Sequence, residues 1–94
     1  MKVELRFFKT LSGYKGDETG FLQPTNVAIM PKEGDYFDYD ESYFNQMNIK
    51  EQKEFNQFGF SVGQYYVAGI MDFRNKEFQY NIDFSIFLIQ NKDD

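Results

Sequence analysis

The chain has 94 residues, the size of one folded domain, so we expect residues 1–94 to form a single domain. It contains no His and no Cys, which excludes imidazole acid–base catalysis, thiol nucleophiles and disulfide bonds. The formal net charge is −5. No stretch has the ~18 consecutive apolar residues of a membrane span, so we expect an acidic cytoplasmic protein that does not bind membranes.

A first strand is predicted near the N-terminus. Apolar and charged side chains alternate over residues 2–9, as in a strand with one buried face. Glycines and polar residues over residues 10–20 then predict a flexible loop. A second strand is predicted over residues 26–30, and the prolines that flank it, Pro24 and Pro31, favour a strand end or a sheet edge. The inward side chains of the first strand are Val3, Leu5 and Phe7.

Helix signals follow an acidic, turn-rich stretch over residues 31–41. Asn48 can cap a helix, Glu51 three residues later completes a capping box, and Gly59 stands where a helix commonly ends. We expect an apolar stripe along this helix, preceded by an earlier turn or a separate short helix. The stripe consists of Ile49, Phe55 and Phe58, and the earlier segment contains Tyr43, Phe44 and Met47.

The C-terminal part of the sequence predicts a long antiparallel hairpin. Apolar and polar residues alternate over residues 77–89, and a first arm over residues 65–73 pairs with them if Asn75-Lys76 forms a two-residue turn. We expect Gly69, in mid-strand, to make room for Phe55 or Phe58 of the helix. The predicted pairs are Phe73–Phe78, Met71–Tyr80, Gly69–Ile82, Val67–Phe84 and Tyr65–Ile86.

The predicted order of elements is β-β-α-β-β. This order indicates an α+β fold: a small single domain in which one helix packs on one face of an antiparallel β-sheet. Residues 91–94 are predicted to form a polar tail.

The negative charge is concentrated in one segment. Residues 33–41 carry five of the fifteen carboxylates and no Lys or Arg, while the rest of the chain carries ten acidic and ten basic residues. Carboxylates attract a basic partner at long range, and aromatic side chains among them can serve as anchors. The predicted partner-binding residues are Glu33, Asp35, Tyr36, Phe37, Asp38, Tyr39, Asp40, Glu41 and Tyr43.

We therefore expect a small, non-enzymatic protein-binding domain that blocks a basic site on a partner, for example on a nucleic-acid-binding enzyme. An inhibitor or immunity-type protein fits this composition, which is common among compact inhibitors encoded by phages and other mobile elements. Spaced carboxylates of this kind can also mimic nucleic-acid phosphates. The plainer interpretation is a solvated loop whose aromatic side chains hold it to the core.

Other interpretations remain open. Asp38, Asp40 and Ser42 match the start of an EF-hand calcium loop, but Tyr43 and Ile49 stand where that loop needs Gly and Glu. A virion-type structural subunit could assemble through an exposed strand. Single-stranded nucleic acid could stack on sheet aromatics, although the acidic charge opposes it. The candidate stacking residues are Phe58, Phe60, Tyr65, Tyr66 and Phe87.

No catalytic site, cofactor or metal is predicted. The serines stand in no recognisable nucleophile motif, and the glycine spacings match no phosphate-binding loop.

Overall fold

The computed structural model describes residues 1–16, 18–74 and 81–93. Within these residues, five strands form one sheet and three short helices accompany it. The α+β class predicted from the sequence is confirmed. The elements in chain order are β1 (Lys2–Thr10), α1 (Leu11–Lys15), β2 (Phe21–Asn26), β3 (Tyr36–Tyr39), α2 (Glu41–Phe44), α3 (Ile49–Gln57), β4 (Gly63–Asp72) and β5 (Phe84–Asn91).

The sheet is mixed, so the prediction of a purely antiparallel sheet is wrong. The strands lie in the order β2-β1-β5-β4-β3, and β1 pairs with β5 in parallel while the other pairs are antiparallel. The predicted element order β-β-α-β-β is also incomplete, because it omits α1, β3 and α2. β5 is buried on both faces, as strands in parallel pairs usually are, and hydrophobic alternation along β1 gives its buried face but not the strand with which it pairs.

The first half of the chain differs from the prediction in two places. The loop expected over residues 10–20 contains α1, which Thr10 caps by accepting a hydrogen bond of 3.0 Å from the backbone N–H of Gly13. The second strand lies at Phe21–Asn26 rather than at residues 26–30. Its inward side chains are the buried polar residues Gln23 and Thr25, so hydrophobic alternation does not reveal it.

The two C-terminal strands pair antiparallel, as predicted, but in another register. Val67 lies opposite Leu88 rather than Phe84, and Ile86 lies opposite Ile70 rather than Tyr65. The predicted Asn75-Lys76 turn, with its neighbours Phe78 and Tyr80, lies outside the described residues. The backbone N–H of Phe73 donates to the Asp83 carbonyl at 2.8 Å, next to the pair formed by Asp72 and Phe84. The register predicted for the described parts of the two strands is therefore wrong.

A β-bulge between Val67 and Gly69 explains the mid-strand glycine. The bulge turns Gly69 away from the main core and places it beside Phe87, so the expected packing against Phe55 or Phe58 is wrong. A methyl group added at Gly69 would lie 3.0 Å from the Tyr14 hydroxyl. Gly69 therefore allows α1 to approach the outer face of the sheet.

The main core lies on the other face of the sheet, between the strands and α3. The Phe7 ring is central to it: its centroid is 5.0 Å from that of Tyr39, 5.1 Å from that of Phe55 and 5.2 Å from that of Tyr65. Such edge-to-face pairs add to the free energy gained by burial. The inward residues predicted for β1, Val3, Leu5 and Phe7, are all fully buried.

Local signals predict α3 correctly. Asn48 Oδ1 accepts from the Glu51 backbone N–H at 2.8 Å, and Glu51 accepts from the Asn48 backbone N–H at 3.0 Å. Gly59 follows the helix with a φ of +88°. The predicted apolar stripe is wrong in two of its members. Phe55 is buried, but Ile49 is 71% exposed and Phe58 is 60% exposed.

Tyr43 and Phe44 belong to the separate short helix α2, one of the two arrangements expected before α3. The polar tail begins later than predicted, because Asn91 is part of β5 and pairs with Thr10 of β1.

Candidate protein-interaction surface

The acidic segment contains the outermost strand β3 rather than only a loop, which corrects the sequence prediction for Tyr36–Tyr39. Burial alternates along this strand: Tyr36 and Asp38 face solvent, and Phe37 and Tyr39 face the core. Four residues are too few for this alternation to stand out among the surrounding turn signals. We name the exposed part of this segment the acidic edge: Glu33, Asp35, Tyr36, Asp38, Asp40 and Glu41.

Two predicted anchor residues hold β3 to the core instead of facing outward. Phe37 is 7% exposed and Tyr39 is fully buried. The Tyr39 hydroxyl donates to Gln23 Oε1 at 2.5 Å, and Gln23 Nε2 donates to the Tyr43 carbonyl at 2.8 Å. Burial raises the pKa of Tyr39, and the nearby Tyr65 raises it further. Tyr36, which is 53% exposed, is the aromatic residue of β3 that a partner could contact.

Asp40 has a structural role at the acidic edge. It is the N-cap of α2, and its Oδ1 accepts from the backbone N–H of Ser42 at 3.0 Å and from the Ser42 hydroxyl at 2.5 Å. The hydrogen bond from the Ser42 side chain lowers the pKa of Asp40. No group of three or more acidic, His or Cys side chains in the described part of the chain could hold a metal ion.

Tyr43 packs against the buried side chains of β3, beneath the acidic edge. Its ring centroid lies 5.3 Å from that of Phe37, and its ring stacks on Tyr39 at 5.7 Å. Partial burial raises the pKa of the Tyr43 phenol, and the negative charges of Asp40 and Asp38 raise it further. Tyr43 therefore lies between the core and the carboxylates, and it is half-buried rather than a free anchor.

The backbone of β3 has an unpaired side. The Gly34 N–H donates to the Val67 carbonyl at 2.8 Å, and the Val67 N–H donates to the Asp35 carbonyl at 2.9 Å. Bonded positions alternate along an antiparallel pair, so the backbone groups of Tyr36 and Asp38 point away from β4. β4 pairs with one side of β3, and among the described residues no strand pairs with its other side.

The opposite edge of the sheet is less suited to pairing. The Val27 N–H donates to the Met1 carbonyl at 3.0 Å, and the same alternation directs the backbone of Pro24 away from β1. Proline has no N–H, so the middle of β2 lacks a donor on its outer side. The predicted edge position of Pro24 is confirmed.

A pair of tyrosines and a lysine lie beside the acidic edge. The rings of Tyr36 and Tyr66 are 5.8 Å apart. The Lys92 ammonium lies 4.8 Å from the Tyr66 centroid and 5.6 Å from the Tyr36 centroid, within range of a cation–π interaction. The nearby Tyr36 raises the pKa of Lys92. No sequence signal predicts this cluster, because its three residues come from β3, β4 and the segment after β5.

The proposed stacking residues for nucleic acid do not form one exposed platform. Phe60 and Tyr65 are buried in the core, and Tyr66 and Phe87 are half-buried on the outer face. Phe58 is exposed, but it follows α3, away from the outer face that carries Tyr66 and Phe87. The structure therefore offers no row of free aromatic faces among these five residues.

No protein-family model matches the chain, and no curated protein or solved structure has significant similarity to it. Among the described residues, none of the helices combines the length and the apolar character required to cross a membrane. The functional interpretation therefore depends on the geometry and charge of the acidic edge itself.

Proposed function

We propose that this protein is a non-enzymatic inhibitor or immunity-type protein whose acidic edge covers a basic site on a partner protein. The observation that carries this proposal is the alternation in β3. Phe37 and Tyr39 bind the strand to the core, while Tyr36 and Asp38 are left exposed. The exposed side chains thus stand on a strand that is already ordered by its packing, so less conformational entropy is lost on association than for a free loop.

The charge of the acidic edge favours a basic partner over a second copy of the same chain. Asp35, Asp38, Asp40 and Glu41 are all exposed, and the segment contains no Lys or Arg between residues 33 and 41. Pairing of two β3 strands would bring like charges together, which costs free energy. A strand or loop rich in Lys and Arg would instead be attracted from a distance.

The unpaired backbone of β3 suggests how the partner binds. An extended segment of the partner can add to the sheet beside Tyr36 and Asp38 and use their free N–H and C=O groups. Its basic side chains would then face the carboxylates, and the Tyr36 ring would supply apolar contact. A partner whose basic site normally holds nucleic-acid phosphates fits the same pattern of charges.

Charged residues on an outer strand also have a simpler use, which is to prevent strands of other molecules from pairing nonspecifically. The two interpretations predict different kinetics. If the acidic edge binds a partner, its carboxylates accelerate association; if they only protect the edge, their removal leaves specific binding unchanged and increases self-association.

The test uses the triple variant Asp35→Asn, Asp38→Asn, Glu41→Gln. Asp40 is retained because it caps α2. The wild type captures the partner from its native host, and the rates are then measured with the purified partner at low and high salt. We expect the variant to associate about tenfold more slowly, with a weaker salt dependence and a nearly unchanged dissociation rate.

A matched control removes three carboxylates elsewhere: Glu18→Gln, Glu54→Gln and Asp83→Asn. It has the same net charge as the triple variant, so an equal loss of association rate in both would contradict a local binding surface. Unchanged rates in the triple variant would also contradict the proposal. Stability measured on each variant separates a binding effect from unfolding.

The aromatic part of the surface has its own test. We expect Tyr36→Ala to accelerate dissociation, at a cost of ~2 kcal/mol if Tyr36 is a hot spot, with little loss of stability because the ring is 53% exposed. Ile49→Ala removes a comparably exposed apolar side chain at the start of α3 and serves as the control.

A further inference from the structure

An open cleft of about 450 Å³ lies where the end of β1, the start of β2 and the end of α3 meet. It shares no residue with the acidic edge, and the inference drawn from it is independent of the proposed function. Its walls combine phenyl rings with the charged side chains of Lys9 and Glu18. The lining residues are Phe7, Phe8, Lys9, Glu18, Thr19, Gly20, Phe21, Phe58 and Phe60.

Phe58 forms an exposed aromatic wall of the cleft. It stands at the C-cap of α3 and is 60% exposed, although a polar residue would serve as well at a helix end. Its ring contacts Phe21 edge-on, with centroids 6.1 Å apart, and the Phe21 ring contacts Phe7 at 6.3 Å. Rings therefore continue from the core to the mouth of the cleft, where an aromatic ligand could stack.

Lys9 places a positive charge among these rings. Its ammonium lies against Gly59 and 5.7 Å from the Phe60 centroid. Within the described residues the ion pairs use Arg6 and Arg74, and the Lys9 ammonium makes no hydrogen bond or ion pair. It is therefore free to bind an anion. Glu18, the carboxylate that lines the cleft, lies against Gly13 of α1.

Gly20 fixes the shape of the cleft. Its φ is +78°, and an added Cβ would lie 2.8 Å from the Phe7 carbonyl oxygen and 3.1 Å from the Phe8 ring. Only glycine combines this backbone conformation with so close an approach. Gly20 thereby lets the backbone at the start of β2 lie directly against β1 at this wall of the cleft.

We propose that this cleft binds a small aromatic anion, with its ring among Phe21, Phe58 and Phe60 and its carboxylate at the Lys9 ammonium. The volume is within the range of small-molecule sites, which are mostly apolar with a few polar groups that set orientation. The Lys9 ammonium lies at Gly59 and the Glu18 carboxylate at Gly13, so a ligand carboxylate pairs with Lys9 at its own end of the cleft, and the lining of phenyl rings favours a planar aromatic group over a flexible chain.

The test compares 2-naphthoate with the neutral isostere 2-naphthamide by amide chemical-shift titration of the labelled protein. We expect shifts at Lys9, Gly20, Phe21 and Gly59, and tighter binding of the carboxylate. The variant Lys9→Gln should weaken 2-naphthoate binding about fivefold, as for a partly exposed ion pair, and leave 2-naphthamide binding unchanged. Lys53→Gln, at an exposed position of α3 outside the cleft, is the matched control.

A second variant tests the aromatic wall. Phe58→Ala should weaken both probes while the melting temperature stays close to that of the wild type, because the ring is largely exposed; Ile49→Ala controls for loss of an exposed apolar group. The absence of binding at millimolar probe, shifts outside the cleft, or equal affinity for both probes in the wild type and in Lys9→Gln would each overturn the proposal.

Discussion

Gly69 lies on the outer face of the sheet, below α1. Because it has no side chain, it leaves space between the sheet and this helix. The Tyr14 hydroxyl occupies this space, and the Tyr14 ring lies 5.3 Å from Phe8 and 5.4 Å from Phe87. Interiors tolerate added volume poorly, since neighbours must leave their preferred rotamers. The side chain that opposes a substitution at Gly69 is therefore Tyr14.

We predict that Gly69→Val destabilises the protein by about 1–3 kcal/mol through this overcrowding. Tyr14→Phe removes the hydroxyl and should restore part of the loss, so that the two changes are coupled in a double-mutant cycle. Urea unfolding of the four proteins gives the coupling energy. Strictly additive effects would show that Tyr14 is not the obstacle.

Two buried phenols predict how stability depends on alkaline pH. Burial raises the pKa of Tyr39 and of Tyr65 above the ordinary value of about 10. A group whose folded-state pKa is raised contributes stability that is complete below about pH 10 and is lost as pH rises towards the folded-state pKa. The reason is that the unfolded chain ionises first and is thereby favoured.

We therefore expect the free energy of unfolding to fall above about pH 10, by at most ~1.4 kcal/mol per pH unit for each of these tyrosines. Tyr39→Phe should have a shallower decline, although its stability at neutral pH is lower by about 1–3 kcal/mol because Gln23 Oε1 loses its donor. Tyr36→Phe, at an exposed ring, is the control. An identical decline in all three proteins would contradict this assignment.

At the scale of single elements, α3 depends on its cap as well as on packing. It is nine residues long, and Phe55 is its buried residue. So short a helix has little intrinsic stability in water. The reciprocal hydrogen bonds of Asn48 and Glu51 satisfy two N-terminal backbone donors that would otherwise lack partners in the helix.

We predict that Asn48→Ala lowers the free energy of unfolding by about 1 kcal/mol. Asn56→Ala changes an exposed asparagine within the same helix and should be neutral or slightly stabilising, because alanine is the better helix former. Chemical denaturation of both variants compares them directly. A loss of the same size in both would mean that the cap does not stabilise α3.

At the scale of the whole molecule, the order of the sheet determines where the structure is most resistant to opening. β1 and β5 lie inside the sheet and pair with each other, whereas β2 and β3 are its two outer strands. The side chains of β5 are buried on both faces. Amides in such central strands exchange only when most of the domain unfolds.

We expect hydrogen exchange to be slowest in β1 and β5 and faster by orders of magnitude in β3 and α2. The measurement is amide exchange followed by NMR at neutral pH. Protection in β3 as strong as that in β5 would contradict this expectation and would show that β3 opens only together with the core.

The sequence alone determines the features of this protein that depend on nearby residues. The capping box of Asn48 and Glu51 marks the start of α3, and Gly59 marks its end. Both signals can be recognised because their hydrogen bonds join residues that are close in the chain. Alternation determines the buried face of β1, and composition determines the acidic character of residues 33–41. The pairing direction of β4 and β5 follows from their closeness in sequence.

Only the tertiary structure decides the rest, since it depends on partners that lie far apart in the chain. The alternation of apolar and polar residues shows which face of a strand is buried, but it does not show which strand lies beside it. The parallel pairing of β1 with β5 therefore cannot be predicted from the sequence. The burial of Phe37 and Tyr39, next to the exposed Tyr36 and Asp38, depends on where β4 offers a free edge. The aromatic cleft likewise exists because the ends of β1, β2 and α3 meet in the folded chain.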